Sequence, residues 1–163
     1  MNTLQERLAS AVELRASEKH GQARQLLLKL HGEFPDDLQI NYQCAWIHDL
    51  LGLAREAVSF YEKAIQTGLS GDDLKSALLG IGRTYRCMGE YQNSIETFQH
   101  ALILSANSYE FNVFLGMAYY NIGEYSMAMA LLLNSLADTS KDEGILRYRR
   151  AIHFYSDKLD QIW

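Results

Sequence analysis

Along residues 143–163, EGILRYRRAIHFYSDKLDQIW, the apolar positions Ile145, Tyr148, Ile152, Tyr155, Leu159 and Ile162 step by three and four, the period of one face of an α-helix. Arg147, Arg149, Arg150, Asp157 and Asp160 fall largely off that stripe, so the pattern predicts a helix apolar on one side and solvated on the other. Leu146, Phe154 and Trp163 are apolar but lie outside the stripe. Upstream, Leu78, Ile81 and Tyr85, and later Leu115 and Tyr119, keep the same three-and-four spacing. Proline occurs once, at Pro35, which leaves long helices unbroken, because an interior proline removes a backbone hydrogen bond and clashes with the preceding turn.

The helical pattern repeats. GRTYRCMGEY at residues 82–91 returns as GMAYYNIGEY at residues 116–125, a period of about 34 residues. Gly82 and Gly116 sit inside helical stretches, where glycine costs about 1 kcal/mol relative to alanine; close approach of a second helix would offset that cost. Gly89 and Gly123 stand where a helix should end in a left-handed residue, and Tyr91 and Tyr125 then open a return helix after a short loop. Asp36 with Gln39, and Asn107 with Glu110, have the spacing of a cap residue and its reciprocal partner.

Two gapless units follow, residues 75–108 and 109–142. Leu78, Ile81, Gly82, Tyr85, Ser94, Phe98 and Ala101 in one, and Asn112, Leu115, Gly116, Tyr119, Ala128, Leu132 and Ser135 in the other, fall at the offsets W-x2-L-G-x2-Y, A-x3-F and a small residue. This resembles the tetratricopeptide repeat (TPR), a helix-turn-helix unit of about 34 residues. A weaker copy runs over residues 38–71, with Cys44, Ala45, His48, Gly52, Ala57, Tyr61 and Ala64 at the matching offsets, and a degenerate one over residues 5–37, marked by Gly21. The resemblance implies an all-α fold: a right-handed superhelix of about four TPR-like helix pairs, forming one domain over residues 1–163 and closed by a capping helix at residues 143–163.

Composition narrows the function. Apolar residues make up 48% of the chain and charged residues 21%, enough apolar surface to fold. A formal charge of −5 argues against a general nucleic-acid or anionic-membrane surface, both of which need a basic face. No run reaches the length of a membrane span, and charges interrupt the first twenty residues where a secretion signal would be apolar. With Cys44 and Cys87 far apart in sequence, a reduced, cytoplasmic setting is expected.

Chemistry is not indicated. His20, His31, His48, His100 and His153 have no metal-site spacing. Gly80-Ile81-Gly82 lacks the third glycine and the preceding strand of a nucleotide loop. Cys87 follows Arg83 and Arg86, which favour a thiolate, but no histidine lies at a neighbouring helical offset. The chain is read as non-enzymatic, without cofactor or metal.

In TPR proteins the first helices of successive units line the inner surface, and the resemblance carries those offsets onto Tyr42, Gln43, Trp46 and Asp49, then Leu79, Arg83 and Arg86, then Val113, Phe114, Met117 and Tyr120, with Arg147 following. Aromatic and methionine anchors beside arginine are the residue types of protein interfaces. The expected role is an interaction module holding an extended or helical partner segment, with Arg83 and Arg86 suited to an acidic one. The Lys and Asn clamp that grips chaperone C-termini is not preserved: one register reads Tyr42, Trp46, Gly80, Glu110 and Phe114, the other Ala11, Arg15, Gln43, Ser76 and Gly80. Two further readings are a homodimer through Leu146, Phe154 and Trp163, and RNA binding through Arg147, Arg149 and Arg150 with Tyr148.

Overall fold

Helical periodicity becomes nine α-helices and no strand among the described residues, 3–163 of a computed structural model. They are α1 (Leu4–Ala16), α2 (His20–Glu33), α3 (Leu38–Leu50), α4 (Ala54–Gln66), α5 (Gly71–Cys87), α6 (Tyr91–Leu104), α7 (Tyr109–Asn121), α8 (Tyr125–Thr139) and α9 (Glu143–Tyr155). The chain divides into two units, the first ending at Met88 and the second running from Gly89 to Trp163.

In the first unit α3 is the hub. It packs against α1 and α2 on one side and α4 and α5 on the other, and it buries Ile40 through Ala45 together with Ile47 and His48. One cluster joins Ile40, Cys44 and Ile47 to Ala11, Ala23, Leu27 and Leu30. A second joins Tyr42 and Ala45 to Ala57, Val58, Tyr61, Ala64, Ala77 and Ile81. A helix enclosed on nearly every side has polar side chains to satisfy. Asn41 Nδ2 donates to the carbonyls of Pro35 and Asp37. His48 Nδ1 meets the Cys44 carbonyl at 2.7 Å, and its Nε2 accepts from Arg24 Nε at 3.1 Å.

The second unit is held by aromatic packing. Phe98 of α6 lies 6.3 Å from Phe111 and stacks on Phe114 at 6.0 Å, both on α7, and Gln99 Nε2 donates to the Tyr119 hydroxyl at 2.9 Å. Gly116 answers the expectation of close approach: a Cβ there would stand 3.2 Å from the Ala128 carbonyl oxygen and 3.4 Å from Leu132 Cγ, both on α8. Gly89 and Gly123 adopt the positive φ expected of them, 79° and 85°.

Three local expectations are corrected. The cap of α3 is Asp37, which accepts from Ile40 N, and not Asp36; Gln39 turns away to donate to Asp73 at 2.8 Å. The cap position of α7 is Ser108, without a side-chain cap bond, and not Asn107. The terminal helix stops at Tyr155 and does not reach residue 163. Beyond it Lys158 Nζ bonds the Phe154 carbonyl and lies 4.9 Å from the Phe154 ring, and Trp163 turns back onto Phe154 at 5.7 Å. No residue of α9 is buried, although Asp142 caps it through Ile145 N.

Candidate partner-binding face

Of residues 40–48, only Trp46 is exposed, at 39%. Its position follows from helical geometry. Tyr42 and Asp49 are four residues before and three after Trp46, so the three share one face of α3. Leu79 and Arg83, again four apart, present the facing surface of α5. Between them lies a cavity of about 220 Å³, lined by Tyr42, Trp46 and Asp49 from α3, Tyr61 from α4, and Ser76, Leu79, Gly80 and Arg83 from α5.

The cavity exists because Gly80 lets Tyr61 in. A Cβ on Gly80 would stand 2.4 Å from the Tyr61 hydroxyl and 2.6 Å from its Cζ, closer than real side chains approach. The same glycine is the one whose Gly-x-Gly pattern gave no phosphate loop; its role is to seat a tyrosine. Burial pushes the Tyr42 and Tyr61 hydroxyls above the usual phenol range, so both remain protonated donors at neutral pH. Asp49 Oδ1 accepts from Thr84 Oγ1 at 3.1 Å.

On the other side of α3 a second opening of about 490 Å³ separates it from α1, lined by Gln5, Leu8, Ala9, Val12 and Glu13 of α1 and Gln39 and Gln43 of α3. Arg15 of α1 reaches across, donating to Gln43 Oε1 and placing its guanidinium carbon 3.7 Å from the centre of the Trp46 ring. Stacking of this kind desolvates the cation, and burial holds the Arg15 pKa below the usual guanidinium value.

The structure thus brings Tyr42, Trp46, Leu79 and Arg83 around one cavity, with Gln43 on the adjoining opening. Tyr42 and Gln43 are themselves largely buried, and Arg86 lies one turn beyond Arg83 on α5 without lining either space. Val113, Met117 and Tyr120 belong to α7 in the second unit, with Met117 and Tyr120 exposed and Tyr120 paired with Tyr125 at 5.1 Å. Arg147 is exposed on α9. Leu146, Phe154 and Trp163 are exposed too, whereas Arg149 is engaged by Asp138 at 2.6 Å. Sequence reading met Arg15 only as one offset of a clamp that is not preserved, and it did not place Tyr61 on this face, because a side chain that reaches over from another helix leaves no trace in the periodicity of its own.

Among the described residues, no three His, Cys, Asp or Glu side chains gather to hold a metal, and no helix is long and apolar enough to cross a membrane. Cys44 is buried, its thiol pushed up to about 12 by desolvation, and Cys87 is exposed.

Short helices packed against sequence neighbours, with side chains meeting across adjacent members, define a helical-repeat protein. Residues 38–159 match the family described as Tetratrico peptide repeat; the chain belongs to that family. Superkiller protein 3 of Schizosaccharomyces pombe is 28% identical over 143 residues, a match that takes in 78% of this chain and 10% of that protein. The chain thus spans about a tenth of that relative's length. A tetratricopeptide repeat protein from Parabacteroides merdae is structurally similar, with a TM-score of 0.76 at 14% identity over 93% of this chain and 58% of its own. YrrB, described as a TPR protein with an unusual peptide-binding site, has a TM-score of 0.64 at 14% identity, covering 96% of this chain and 91% of its own. At such identities the two structures establish a common fold.

Proposed function

We propose that the chain is a non-catalytic protein-interaction module that holds a segment of another protein on the face shared by α1, α3 and α5. The observation that carries this reading is Trp46: a helix enclosed on nearly all sides leaves one large aromatic in solvent, beside a cavity and beneath an arginine. Tryptophan and arginine together are the residue types that dominate protein interfaces. At about 220 Å³ the cavity is below the roughly 300–1,000 Å³ of small-molecule sites. It suits a single side chain of a docked polypeptide, with Arg83 at its margin to meet an acidic neighbour. Membership of the TPR family and the peptide-binding site named for YrrB are consistent with that role.

Quantitative capture tests it. Wild-type chain and Trp46→Ala, matched for helicity by circular dichroism, are used as baits in the same lysate. The reading expects at least one protein retained by wild type to fall about tenfold or more on Trp46→Ala. A capture profile identical for both baits contradicts it.

Self-association through the C-terminal segment is a second reading, favoured by the exposed pair of Phe154, at 50%, and Trp163, at 77%, packed against each other. Light scattering across a hundredfold range of concentration decides it: a dimer that dissociates in Phe154→Glu supports it, and a monomer throughout rejects it.

A further inference from the structure

The second helix of a repeat carries an apolar stripe that the following helix covers, and α8 carries the stripe without the cover. On α4 the stripe is Val58 and Tyr61, on α6 it is Ile95 and Phe98, and all four are buried. The next helix packs across each: Tyr61 is seated at Gly80 of α5, and Phe98 meets Phe111 and Phe114 of α7. Counted from the turn glycines Gly52, Gly89 and Gly123, the matching positions on α8 are Met129 and Leu132. These are 44% and 37% exposed, where Ile95 and Phe98 are 3% and 0%. Tyr125 and Leu136 continue the stripe along α8 and are exposed as well.

α9 follows α8 but lies elsewhere on it. Its polar contacts fall on Asn134 and Asp138, which at 3.6 residues per turn sit on the side of α8 opposite the stripe. Ala137 is buried, while Ile103 and Gln66 at the matching positions of α6 and α4 are exposed. The closing helix therefore covers a flank that the earlier repeats leave open, and leaves open the one that they cover.

The stripe fits a second copy of itself. Tyr125, Met129, Leu132 and Leu136 step by four, three and four, the spacing of a coiled-coil seam. From Tyr125 to Ala137 the helix has no charged residue, so the contact buries no unpaired charge. A two-fold axis passing between Met129 and Leu132 makes the contact isologous. It sets Met129 of each copy against Leu132 of the other, and Tyr125 against Leu136. The paired helices run antiparallel, as consecutive helices joined by a short loop do when α7 covers α6. Tyr120, packed on Tyr125 at 5.1 Å and exposed, widens the patch at each end. The nearest charges are Glu124 and the other copy's Asp138, and Asp138 is already engaged by Arg149 and His153.

We propose that α8 is a homodimerisation surface, its Tyr125, Met129, Leu132 and Leu136 pairing antiparallel with those of a second copy. The contact differs from self-association through Phe154 and Trp163, and the experiment separates the two. Light scattering across a hundredfold range of concentration compares the full-length wild type with Tyr125→Lys and Leu136→Glu, each matched for helicity by circular dichroism. Wild type should dimerise, and either substitution alone should weaken the dimer by about tenfold or more. Mixing the two variants in equal amounts should restore it, because the antiparallel pairing sets the introduced ammonium against the introduced carboxylate and leaves the native pair at the other end. Met129→Gln, an uncharged change at the centre of the seam, should weaken the dimer too, and it replaces either charged variant that fails to fold. Phe154→Glu should leave the dimer intact. A monomer at every concentration overturns the proposal, as does a dimer indifferent to all three α8 substitutions. A dimer lost only on Phe154→Glu moves the contact to the C-terminal segment and overturns it as well. Weakening by the single variants with no recovery on mixing overturns the antiparallel pairing.

Discussion

Gly80 and Tyr61 are coupled residue to residue: one lacks a side chain so that the other's ring can sit against the helix backbone. An added methyl cannot be relieved cheaply, because Tyr61 is itself buried. Gly80→Ala should therefore lower stability by about 1–3 kcal/mol, the ordinary cost of overpacking. Gly21→Ala, where nothing lies within 4 Å, should lower it not at all. Urea denaturation of the pair checks this, and equal midpoints would refute the account of the cavity. His48 makes a second residue-scale prediction. Burial holds its imidazole below the usual value, the Cys44 carbonyl opposes that effect, and the nearby charge of Arg24 adds to it. The unfolded chain then binds the proton more readily, so the stability that neutral His48 contributes is complete above the ordinary imidazole pKa, near 6.5. It is lost as pH falls through that value toward the lower folded one. The urea midpoint should drop between about pH 7.5 and 5.5, and the drop should shrink in His48→Gln; an equal drop in both would remove His48 as the cause.

Among the elements, α3 and α9 are opposites. α3 has apolar neighbours on both sides; α9 has no buried residue and is fastened to α8 by polar contacts centred on Asp138. Asp138 receives Arg149 at 2.6 Å and His153 at 3.1 Å, while His153 Nδ1 meets Asn134 at 2.8 Å. A helix held this way opens without unfolding its neighbours. Asp138→Ala should raise hydrogen exchange throughout α9 and leave α3 unchanged; exchange in α9 as slow as in α3 would show that apolar packing holds it. The sequence told the two helices apart poorly. The stripe of Ile145, Tyr148, Ile152, Tyr155, Leu159 and Ile162 reads as one apolar face through residue 162, yet the helix ends at Tyr155 and Ile162 is fully exposed. Periodicity reports which residues could face a neighbour, and whether a neighbour is there depends on the rest of the chain.

For the whole molecule, the all-helical fold was legible because each repeat writes its turn glycines and packing residues at the same interval, and Gly89, Gly116 and Gly123 behave as that pattern requires. Tyr42, Trp46, Leu79 and Arg83 were legible as neighbours for the same reason, since one helical offset in two successive units becomes one surface. The contact of Arg15 with Trp46 was not, although Arg15 stood at an inner offset beside Gln43, because it crosses from α1 to α3 and the first unit carries only Gly21 as a landmark. The caps of α3 and α7 were read one residue early, since several Asp, Asn and Ser residues adjoin there and only backbone geometry selects among them. The partner-binding face is the central claim, and site-specific photo-crosslinking in living cells tests it most directly. A photoreactive phenylalanine analogue replaces Leu79 in the cavity or, as a control, the exposed Arg55 on α4. The account predicts a discrete adduct with another protein from position 79 and none from position 55; an adduct from position 55 alone would place the partner on a different surface and contradict it.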